Sequence, residues 1–547
     1  MSQELSYQKY DPSWGVYPVP PIPEKHLYAF LKEQSQTNPQ KDAIIFFHKK
    51  TTYAELDELS DRVAHFLVEN GIKKGDRVAT MLPNCTQHAC IFFGILKAGA
   101  VIVPFNVMLK ADEIKYILEE SGAKALFCVD LLFFVVKPVI DELKIAPIVT
   151  IHVKDFSEPT ANIPPLLAGD KTIPDGSIDF MEIISKEKGA FSPVAVDPKK
   201  DLVMLLYTSG TTGFPKGAMI SHYNFCAACT NAEIIGIEQK DTIIVLFPLF
   251  HVAGYSLGML VSVYKGLTAV LIPRFDAEDM LDTIERFKVT IVFSPPTAYI
   301  GLLNSPEFKK YDLSSIRITV ACGAPVPPPL QKEWEEKVGT YLYNGYGCTE
   351  TSASAPGIIE MQNKRKFAGE TLGATTNELK IVNEEKEIVP RGEVGEFVLK
   401  GPGIARGYWK KPDETEEQFT DDGWWYSGDM GYMDNDGFVY FTERKKDLII
   451  ASGYNIAPAE VENYLYNHPA VKEAGVVGIP DEYRGETVKA FIVLKDEYKG
   501  TVTEEDIITF AKEKMAAYKA PKLVEFIDEI PKTMTGKVLR RVLRDRS

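Results

Sequence analysis

The stretch that decides the fold is "YTSGTTGFPKG", which runs from Tyr207 to Gly217 and holds three glycines, four serine or threonine hydroxyls and one lysine. The apolar run 201–207 before it predicts a buried strand. Residues 222–230 after it predict a helix with Ser221 near its N-cap. A strand, a glycine-rich turn and a helix present converging N–H groups to an anion, so the pattern predicts a phosphate site with Lys216 as its positive charge.

The motif differs from the usual P-loop, in which Gly-Lys is followed directly by Ser or Thr. Here Lys216 lies between Pro215 and Gly217. A flexible surface loop without a ligand is the alternative interpretation of the same residues, and the rest of the chain has to decide between the two.

Composition limits the classes of function. The chain has 547 residues, 45% of them apolar and 25% charged, as in an ordinary soluble protein. A net charge of −15 argues against nucleic acid or an anionic membrane as the main partner. The N-terminus lacks the pattern of a signal peptide, and the seven scattered cysteines indicate reduced thiols, so we expect a cytoplasmic protein. The lone pair Cys226 and Cys229 predicts core packing, with no zinc and no redox role.

The segment Ile243–Tyr264 is long and almost uncharged, as a membrane span would be. However, Pro248, Gly254 and Gly258 interrupt it. A buried strand, a loop and a core helix fit these interruptions better, and we therefore predict no membrane span.

Between residues 40 and 320, apolar runs alternate with helical patterns, which is typical of mostly parallel sheets with helices. The runs lie at 76–82, 100–104, 125–129, 147–151, 268–272 and 289–293. From about 370 to 443, short alternating strands with Gly and Asp turns predict a small β-barrel.

The pattern of the C-terminal part of the chain predicts a helix, two strands, a second helix and a last strand, at 459–466, 471–478, 487–494, 503–516 and 523–527. The predicted fold is therefore α/β. A large N-terminal domain, 1–445, holds mostly parallel sheets with helices and the small barrel. A smaller, mobile α+β domain, 446–547, follows it.

Four further stretches carry groups that suit a nucleotide: residues 344–351 "NGYGCTET", 423–431 "GWWYSGDMG", 443–455 "ERKKDLIIASGYN" and 533–541 "TMTGKVLRR". Each alone is also explained by a turn or a cap. Together they supply an aromatic ring for a base, carboxylates for ribose hydroxyls and Mg²⁺, and cations for phosphate.

With these five ordered motifs the chain resembles the AMP-forming acyl-CoA synthetases of the adenylate-forming (ANL) superfamily, from about residue 30 to residue 540. That superfamily also contains peptide-synthetase adenylation domains and firefly luciferase. The resemblance implies an acid–thiol ligase with ATP, a carboxylic acid and CoA as substrates and Mg²⁺ as the metal. It also implies a C-terminal domain that rotates between acyl-AMP formation and thioester formation. The oligomeric state, a homodimer included, is left open.

The resemblance implies roles for individual residues, carried over motif by motif. The predicted contacts to the leaving pyrophosphate are Thr208, Ser209, Gly210, Thr211, Thr212 and Lys216. The predicted adenine site consists of Gly323, Ala324 and Pro325 on one wall, with Tyr346 and Gly347 on the other. The predicted phosphate and metal contacts are Thr349 and Glu350, with Glu350 as the metal ligand. Asp429 is expected to bind the ribose hydroxyls beside Arg444.

The second domain carries the remaining implied roles. Lys446 is at the hinge position, Gly453 and Tyr454 contribute to the CoA step, and Lys537 is the catalytic lysine. Lys537, Glu350, Thr208 and Lys216 form the predicted catalytic set. One departure is Ser427, where family members usually carry Thr; the hydroxyl is retained, so we expect little consequence.

The acyl pocket is predicted to include His251, Gly323, Gly345 and Gly347. Amino-acid-activating relatives carry aspartate at the position of His251, which argues against an amino-acid substrate. Acetate-restricted relatives carry tryptophan at the position of Gly347, so glycine leaves room for a larger acyl group. We predict a medium- to long-chain fatty acid, with an aryl or short hydroxy acid as the alternative.

Two other functions compete with this interpretation. Residues 254–258 match the G-x-S-x-G pattern of serine hydrolases, with Ser256 as nucleophile and His468 as the only histidine downstream. No clean strand leads into Ser256, which argues against a hydrolase. A non-catalytic nucleotide-binding protein is the other alternative, and the presence of both Lys537 and Glu350 argues against it.

Overall fold

The structure is a computed structural model of the full chain. It describes residues 21–159, 161–208, 215–324, 326–353, 371–372, 376–435, 439–451, 454–481, 484–533 and 536–546.

The strands within these ranges are β1 Asp42–Phe46, β2 Lys49–Thr52, β3 Arg77–Met81, β4 Val101–Pro104, β5 Ala123–Val129, β6 Ile148–Ile151, β7 Ile178–Asp179, β8 Leu202–Thr208, β9 Lys216–Ser221, β10 Thr242–Val245, β11 Thr268–Leu271, β12 Ile291–Ser294, β13 Ile318–Cys322, β14 Leu342–Gly345, β15 Thr371–Leu372, β16 Glu378–Val382, β17 Gly395–Lys400, β18 Trp425–Met433, β19 Val439–Arg444, β20 Ile449–Ala451, β21 Tyr454–Ile456, β22 Val471–Asp481, β23 Gly485–Leu494 and β24 Leu523–Phe526.

The α-helices are α1 Leu27–Thr37, α2 Tyr53–Glu69, α3 Thr86–Lys97, α4 Ala111–Ser121, α5 Phe133–Leu143, α6 Phe180–Ser185, α7 His222–Ile234, α8 Val261–Lys265, α9 Ala277–Arg286, α10 Pro296–Leu303, α11 Pro328–Val338, α12 Pro412–Gln418, α13 Pro458–Leu465, α14 Glu504–Lys514 and α15 Arg540–Asp545.

Two seven-stranded sheets form the large part of the molecule. The first sheet has the strand order β7-β6-β5-β3-β4-β8-β9, and the second has the order β14-β13-β12-β10-β11-β1-β2. Neighbouring strands are parallel except for the hairpins β8–β9 and β1–β2 at one edge of each sheet. The predicted apolar runs are strands β3, β4, β5, β6, β11 and β12, which confirms the parallel α/β fold.

The main core lies between these two sheets. All twelve residues of α3 are buried, as expected for a helix that is covered on both sides. The largest apolar cluster joins inner residues of the first sheet, such as Phe127, with inner residues of the second, such as Phe293, through α3 and α7. Separate clusters cover the outer face of each sheet. Strands buried on both faces explain why their sequences are continuously apolar rather than alternating.

The segment that was predicted to close into a barrel forms an open sheet instead. This third sheet is antiparallel, with the order β15-β19-β18-β17-β16. A barrel requires its two edge strands to pair. Within the described residues, β15 pairs with β19 and β16 pairs with β17, but β15 and β16 do not pair with each other. Since β15 is only two residues long, it offers little edge for closure.

The C-terminal segment confirms the predicted order of elements. A fourth sheet has the order β21-β20-β23-β22, and β24 adds to β23 in parallel. Helices α13 and α14 pack on its apolar residues. The predicted boundary at 445/446 falls in the short 3₁₀ turn Lys445–Asp447, between β19 and β20.

Two local predictions are also confirmed. Ile243–Tyr264 divides into strand β10, a loop, a π-helical segment Gly254–Leu260 and helix α8. Among the residues that the structure describes, no helix has both the length and the apolar character needed to cross a membrane. Cys226 and Cys229 are both buried in the main core.

Candidate active site

A cleft that is partly open to solvent lies where β13 and β14 end and the C-terminal segment approaches them. Open parallel sheets bind ligands at the carboxyl ends of their strands, so the position suits a substrate site. Many of the predicted site residues line this cleft: Gly323, Ala324, Gly345, Tyr346, Gly347, Asp429, Arg444 and Lys537.

Tyr346, Asp429 and Arg444 form one connected group in the cleft. The Tyr346 hydroxyl donates to Oδ2 of Asp429, and Nε of Arg444 lies 2.9 Å from Oδ1 of the same carboxylate. Burial and the Asp429 charge raise the pKa of Tyr346, so its hydroxyl remains a donor. Asp429 raises the pKa of Arg444, which therefore stays charged. A carboxylate has further lone pairs, so Asp429 can still accept hydrogen bonds from a diol such as ribose.

The tyrosine ring is fixed from behind by other aromatic side chains. Phe397 meets it edge to face at 6.0 Å between ring centroids, and Phe441 lies at 6.3 Å. A ring held in this way can stack on a planar base with little loss of side-chain entropy.

The turn before Asp429 fixes the position of this residue. The Ser427 hydroxyl donates to the carbonyl of Phe397 (2.7 Å) and accepts from the Asp429 N–H (3.0 Å). Register then places Asp429 opposite Arg444 across strands β18 and β19. The hydroxyl at position 427 is used in the structure, in agreement with the expectation that Ser replaces Thr here with little consequence.

The glycine-rich stretch is a β-hairpin connection, which corrects the predicted strand–turn–helix arrangement. Lys216 begins β9, which pairs antiparallel with β8, so Thr208 lies opposite Lys216. Helix α7 does begin after the predicted N-cap Ser221, but Ser221 lies opposite Leu202, at the far end of the hairpin. The α7 N-terminus therefore cannot supply a dipole to an anion at the loop. The prediction was wrong because the six residues of β9, Lys216–Ser221, were taken as the end of the loop that leads into helix α7.

Lys216 and Glu350 are brought together by a residue that the sequence did not single out, Tyr408. Its hydroxyl donates to Oε1 of Glu350 (2.8 Å), and the Lys216 Nζ lies 5.0 Å from the centroid of its ring. Burial raises the pKa of Glu350. Glu350 is part of the 3₁₀ turn Thr349–Thr351, four residues after Tyr346, so this cluster adjoins the cleft.

Lys537 reaches the cleft from a tight turn in the C-terminal segment. The Lys537 N–H donates to Oγ1 of Thr533 (3.1 Å), and the Thr533 N–H donates to the Lys537 carbonyl (2.8 Å). Gly536 has φ +80°, and a Cβ there would lie 2.7 Å from Oγ1 of Thr297, so the turn fits closely against α10. Burial and the nearby Arg444 guanidinium lower the pKa of Lys537 to about 8.

A buried ionic cluster holds the helix that follows Lys537. Arg540 in α15 pairs with Glu462 (2.6 Å) and with Glu443 (3.1 Å), and Arg544 pairs with Asp447 (3.2 Å). Glu443 belongs to β19 and Glu462 to α13, so Arg540 links the two sides of the predicted hinge. Sequence reasoning missed this cluster because its members are far apart along the chain.

A second, apolar cavity adjoins the cleft, and all four predicted acyl-pocket residues line it: His251, Gly323, Gly345 and Gly347. Its other lining residues are Ile235, Val252, Ala253, Leu257, Phe293, Val320, Cys322, Tyr346 and Ala353. Burial lowers the pKa of His251 to about 4, so its ring is neutral near pH 7. The cavity and the cleft share Gly323, Tyr346 and Gly347, which places the apolar space directly beside the nucleotide residues.

Family models match most of the chain. A model described as AMP-binding enzyme matches residues 31–409, and one described as AMP-binding enzyme C-terminal domain matches residues 460–537. The chain belongs to the AMP-binding enzyme family. The resemblance to the AMP-forming acyl-CoA synthetases is thereby confirmed, and with it the enzyme class.

Individual members of the AMP-binding enzyme family are similar over nearly their whole length. The long-chain-fatty-acid–CoA ligase of Bacillus subtilis (strain 168) is 39% identical over 543 residues, covering 96% of this chain and 95% of the relative. A feruloyl-CoA synthase of Amycolatopsis sp is 34% identical over 520 residues, covering 94% and 97%. ATP-bound MatB from Rhodopseudomonas palustris superposes with a TM-score of 0.84 at 28% identity, covering 95% and 98%. The anthranilate CoA ligase AuaEII with anthranoyl-AMP gives 0.84 at 30% identity, covering 96% and 98%.

Membership of the family raises the question of a metal. Within the described ranges, no three His, Cys, Asp or Glu side chains are grouped as metal ligands. Mg²⁺ in nucleotide sites is commonly held by one or two carboxylates together with substrate phosphates. Glu350, whose carboxylate accepts from the Tyr408 hydroxyl, fits a metal that arrives with ATP.

The alternative serine nucleophile does not have the geometry of a hydrolase. Ser256 lies inside the π-helical segment Gly254–Leu260 and is fully buried, whereas a nucleophile elbow is a sharp turn between a strand and a helix. His468 packs its ring on Phe510, in the C-terminal segment.

Several predicted residues are not tested by this geometry. Ser209, Gly210, Thr211, Thr212, Pro325 and Gly453 lie outside the described residues. Tyr454 begins strand β21, but its side chain is not described. Lys446 is exposed in the 3₁₀ turn and does not line the cleft, as its predicted hinge role allows.

Proposed function

We propose that this chain activates a medium- to long-chain fatty acid. The carboxylate and ATP give acyl-AMP and pyrophosphate, and CoA then gives acyl-CoA and AMP. The observation that carries the substrate assignment is the apolar lining of the cavity beside Tyr346 and Gly347. An acyl tail in that cavity would place its carboxylate in the cleft, beside the nucleotide residues.

The nucleotide is proposed to bind through the Tyr346 group. Its adenine would stack on the Tyr346 ring, and its ribose hydroxyls would donate to Asp429. The Arg444 ion pair at 2.9 Å supports this role, because it holds the Asp429 carboxylate in one orientation.

Formation of acyl-AMP brings one anion toward another, since a carboxylate attacks the α-phosphate. The Lys537 ammonium is proposed to bridge the two anions and to stabilise the charge that develops between them. Its pKa of about 8 leaves it mostly protonated at neutral pH, and the approach of ATP would favour the charged form further. Thr349 is proposed to contact the α-phosphate.

The leaving pyrophosphate also requires positive charge. Lys216, at the start of β9, is proposed to contact it together with the loop after Thr208. Glu350 is proposed to hold Mg²⁺, which when bound would neutralise charge on the phosphates.

The CoA step is proposed to follow a rotation about Lys446. That rotation would withdraw Lys537 and bring the Gly453-Tyr454 loop to the acyl-adenylate. Lys445 and Lys446 are exposed in the turn Lys445–Asp447, so a change of backbone angles at Lys446 would displace no buried side chain of its own. The Arg540–Glu443 ion pair across the hinge would have to separate in the rotation.

The lining of the cavity favours a fatty acid over the other candidates. His251 is neutral, and the other described residues that line the cavity carry no negative charge that could bind an amino-acid ammonium. The first relative named above is a long-chain-fatty-acid–CoA ligase, which agrees with this choice. The feruloyl and anthranilate relatives favour an aryl acid as the second candidate, because a planar ring would also fit an apolar cavity.

A screen of pyrophosphate release across carboxylates tests the proposal. The series would include acetate, butyrate, octanoate, dodecanoate, palmitate, benzoate, ferulate and 3-hydroxybutyrate, each with and without CoA. Each buried methylene is worth about 0.8 kcal/mol, so kcat/KM should rise about fourfold per methylene until the cavity is filled. The Lys537→Ala variant provides the background. A preference for benzoate or ferulate would replace the fatty acid with an aryl acid, and no release with any acid would contradict the activity.

A further inference from the structure

We propose that Tyr408 is a positioning residue that couples Lys216 to Glu350, holding the cation with its ring and the carboxylate with its hydroxyl so that both can meet a metal-bound pyrophosphate. The inference rests on the proposed function, in which Lys216 contacts pyrophosphate and Glu350 holds Mg²⁺.

Tyr408 makes its two contacts with different parts of one side chain. Its hydroxyl donates to Oε1 of Glu350 over 2.8 Å, whereas its ring lies 5.0 Å below the ammonium of Lys216. The first contact orients an anion by hydrogen bonding, and the second attracts a cation to the π-face. Because the two contacts are separable, a substitution can remove one and keep the other.

The tyrosine is fixed well enough to position its neighbours. It is only 4% exposed. Its N–H donates to Oγ1 of Thr415 (3.0 Å), and its backbone pairs with Ala218 of β9, two residues after Lys216. Phe419 meets the ring edge to face at 5.6 Å. The preceding Gly407 has φ +110°, and a Cβ there would lie 2.5 Å from Thr415, so the backbone approach requires glycine.

The arrangement keeps both charges available to a ligand. Lys216 comes from β9 of the first sheet and Glu350 from the turn after β14 of the second. Between these two described side chains there is no direct ion pair, which would have neutralised both of them. Tyr408 instead holds each through a neutral group, so the ammonium can still meet phosphate oxygens and the carboxylate can still meet a cation.

The hydroxyl has a second neighbour that serves as a control. Oε1 of Gln418 lies 2.6 Å from the Tyr408 oxygen. A tyrosine hydroxyl carries a single hydrogen, and the carboxylate of Glu350 is the stronger acceptor. Gln418 lies against the Tyr408 hydroxyl through its amide oxygen and makes no hydrogen bond to the described side chains of Lys216 and Glu350. Gln418→Leu therefore removes support for Tyr408 but leaves the coupling contacts in place.

The experiment measures ATP binding by calorimetry over a range of Mg²⁺ concentrations, which requires no turnover. Tyr408→Phe keeps the ring and loses the hydroxyl. We expect metal-free ATP affinity within about twofold of wild type, while the Mg²⁺ enhancement of ATP affinity falls about tenfold, as for a lost hydrogen bond to a charged group. Tyr408→Leu should lose that enhancement and also weaken metal-free ATP binding about fivefold, because the cation–π contact is gone. Gln418→Leu should resemble wild type in both measurements.

The outcomes separate this inference from the proposed function. If Tyr408→Phe, with a circular dichroism spectrum like that of wild type, keeps the full Mg²⁺ enhancement, the coupling is wrong even though the ligase activity stands. An equal loss in Gln418→Leu would assign the effect to general support of the loop and would also overturn the coupling. If wild type binds Mg²⁺–ATP but releases no pyrophosphate with any acid, the proposed function fails while the binding data still decide the role of Tyr408.

Discussion

The pH dependence of acyl-AMP formation depends on whether Lys537 is the group that bridges carboxylate and phosphate. Its pKa is lowered to about 8 by burial and by Arg444. The charged fraction of such a group falls from about 90% at pH 7 to about 10% at pH 9, whereas a lysine with the ordinary pKa near 10.4 would remain more than about 90% charged. Because the proposed role requires the ammonium, the rate should fall above pH 8.

The magnitude can be stated for kcat/KM, which reports the free enzyme. We expect kcat/KM for the first half-reaction to fall about tenfold per pH unit above pH 8, the slope for loss of a single required proton. Rapid-quench measurement of pyrophosphate release, with fatty acid and ATP both below saturation and without CoA, isolates this step for the free enzyme. The second half-reaction, assayed with prepared acyl-AMP and CoA, should lack this alkaline decline.

Two substitutions give the control. Lys537→Arg keeps a positive charge at all accessible pH values, since the pKa of arginine exceeds 12. Its rate should be lower at pH 7, because the guanidinium has a different shape, but the decline above pH 8 should be absent. Lys537→Ala should be slow at every pH. If wild type and Lys537→Arg share the same alkaline decline, another group titrates and the role proposed for Lys537 is wrong.

Three further substitutions test the pocket, the hinge and the ionic cluster. Gly347→Trp should shift preference toward short acids: losing about four methylene contacts costs about 3 kcal/mol, or roughly two orders of magnitude in kcat/KM for long acids. A Cβ at position 347 would lie 3.1 Å from Cα of Ala353, so Gly347→Ala measures the effect of that close approach alone. Equal losses of kcat/KM at all chain lengths in both variants would contradict the pocket assignment. Lys446→Pro should spare acyl-AMP formation and slow thioester formation, because proline restricts the φ that a hinge must change; equal loss of both steps would place the hinge elsewhere. Arg540→Ala removes the ion-pair partner of two buried carboxylates and should lower the free energy of unfolding by about 3–5 kcal/mol in chemical denaturation. The control Arg541→Ala, at an exposed position, should change the free energy of unfolding little. Similar free energies of unfolding for the two variants would show that the cluster contributes no stability.

The parallel sheets could be predicted because burial on both faces leaves a local signature. Strands such as β10 and β12 are short, continuously apolar runs, and neither depends on a distant partner to be recognised. The order of elements in the C-terminal segment could be predicted from the sequence in the same way. The barrel was predicted wrongly, because closure depends on pairing between two edge strands that are distant along the chain, and such pairing leaves no local pattern.

The site residues that belong to short motifs could be predicted from the sequence, whereas those brought together by long-range pairing could not. Tyr346, Asp429 and Lys537 each lie in a distinctive stretch, and the structure brings all three to one cleft. Tyr408 meets Lys216 only because its segment pairs with β9, which is about 190 residues earlier in the sequence. Arg540 likewise meets Glu443 across the predicted hinge. Such contacts leave no local pattern that composition or spacing could reveal.

The central claim is that acyl-AMP forms with its tail in the apolar cavity and its nucleotide in the adjoining cleft. The most direct test is a crystal structure with a non-hydrolysable dodecanoyl-adenylate, in which a sulfamate replaces the phosphate. The account predicts adenine against Tyr346, ribose hydroxyls on Asp429, and the alkyl chain between His251 and Gly347. An alkyl chain that leaves the cleft by another path, with the cavity beside His251 unfilled, would contradict it.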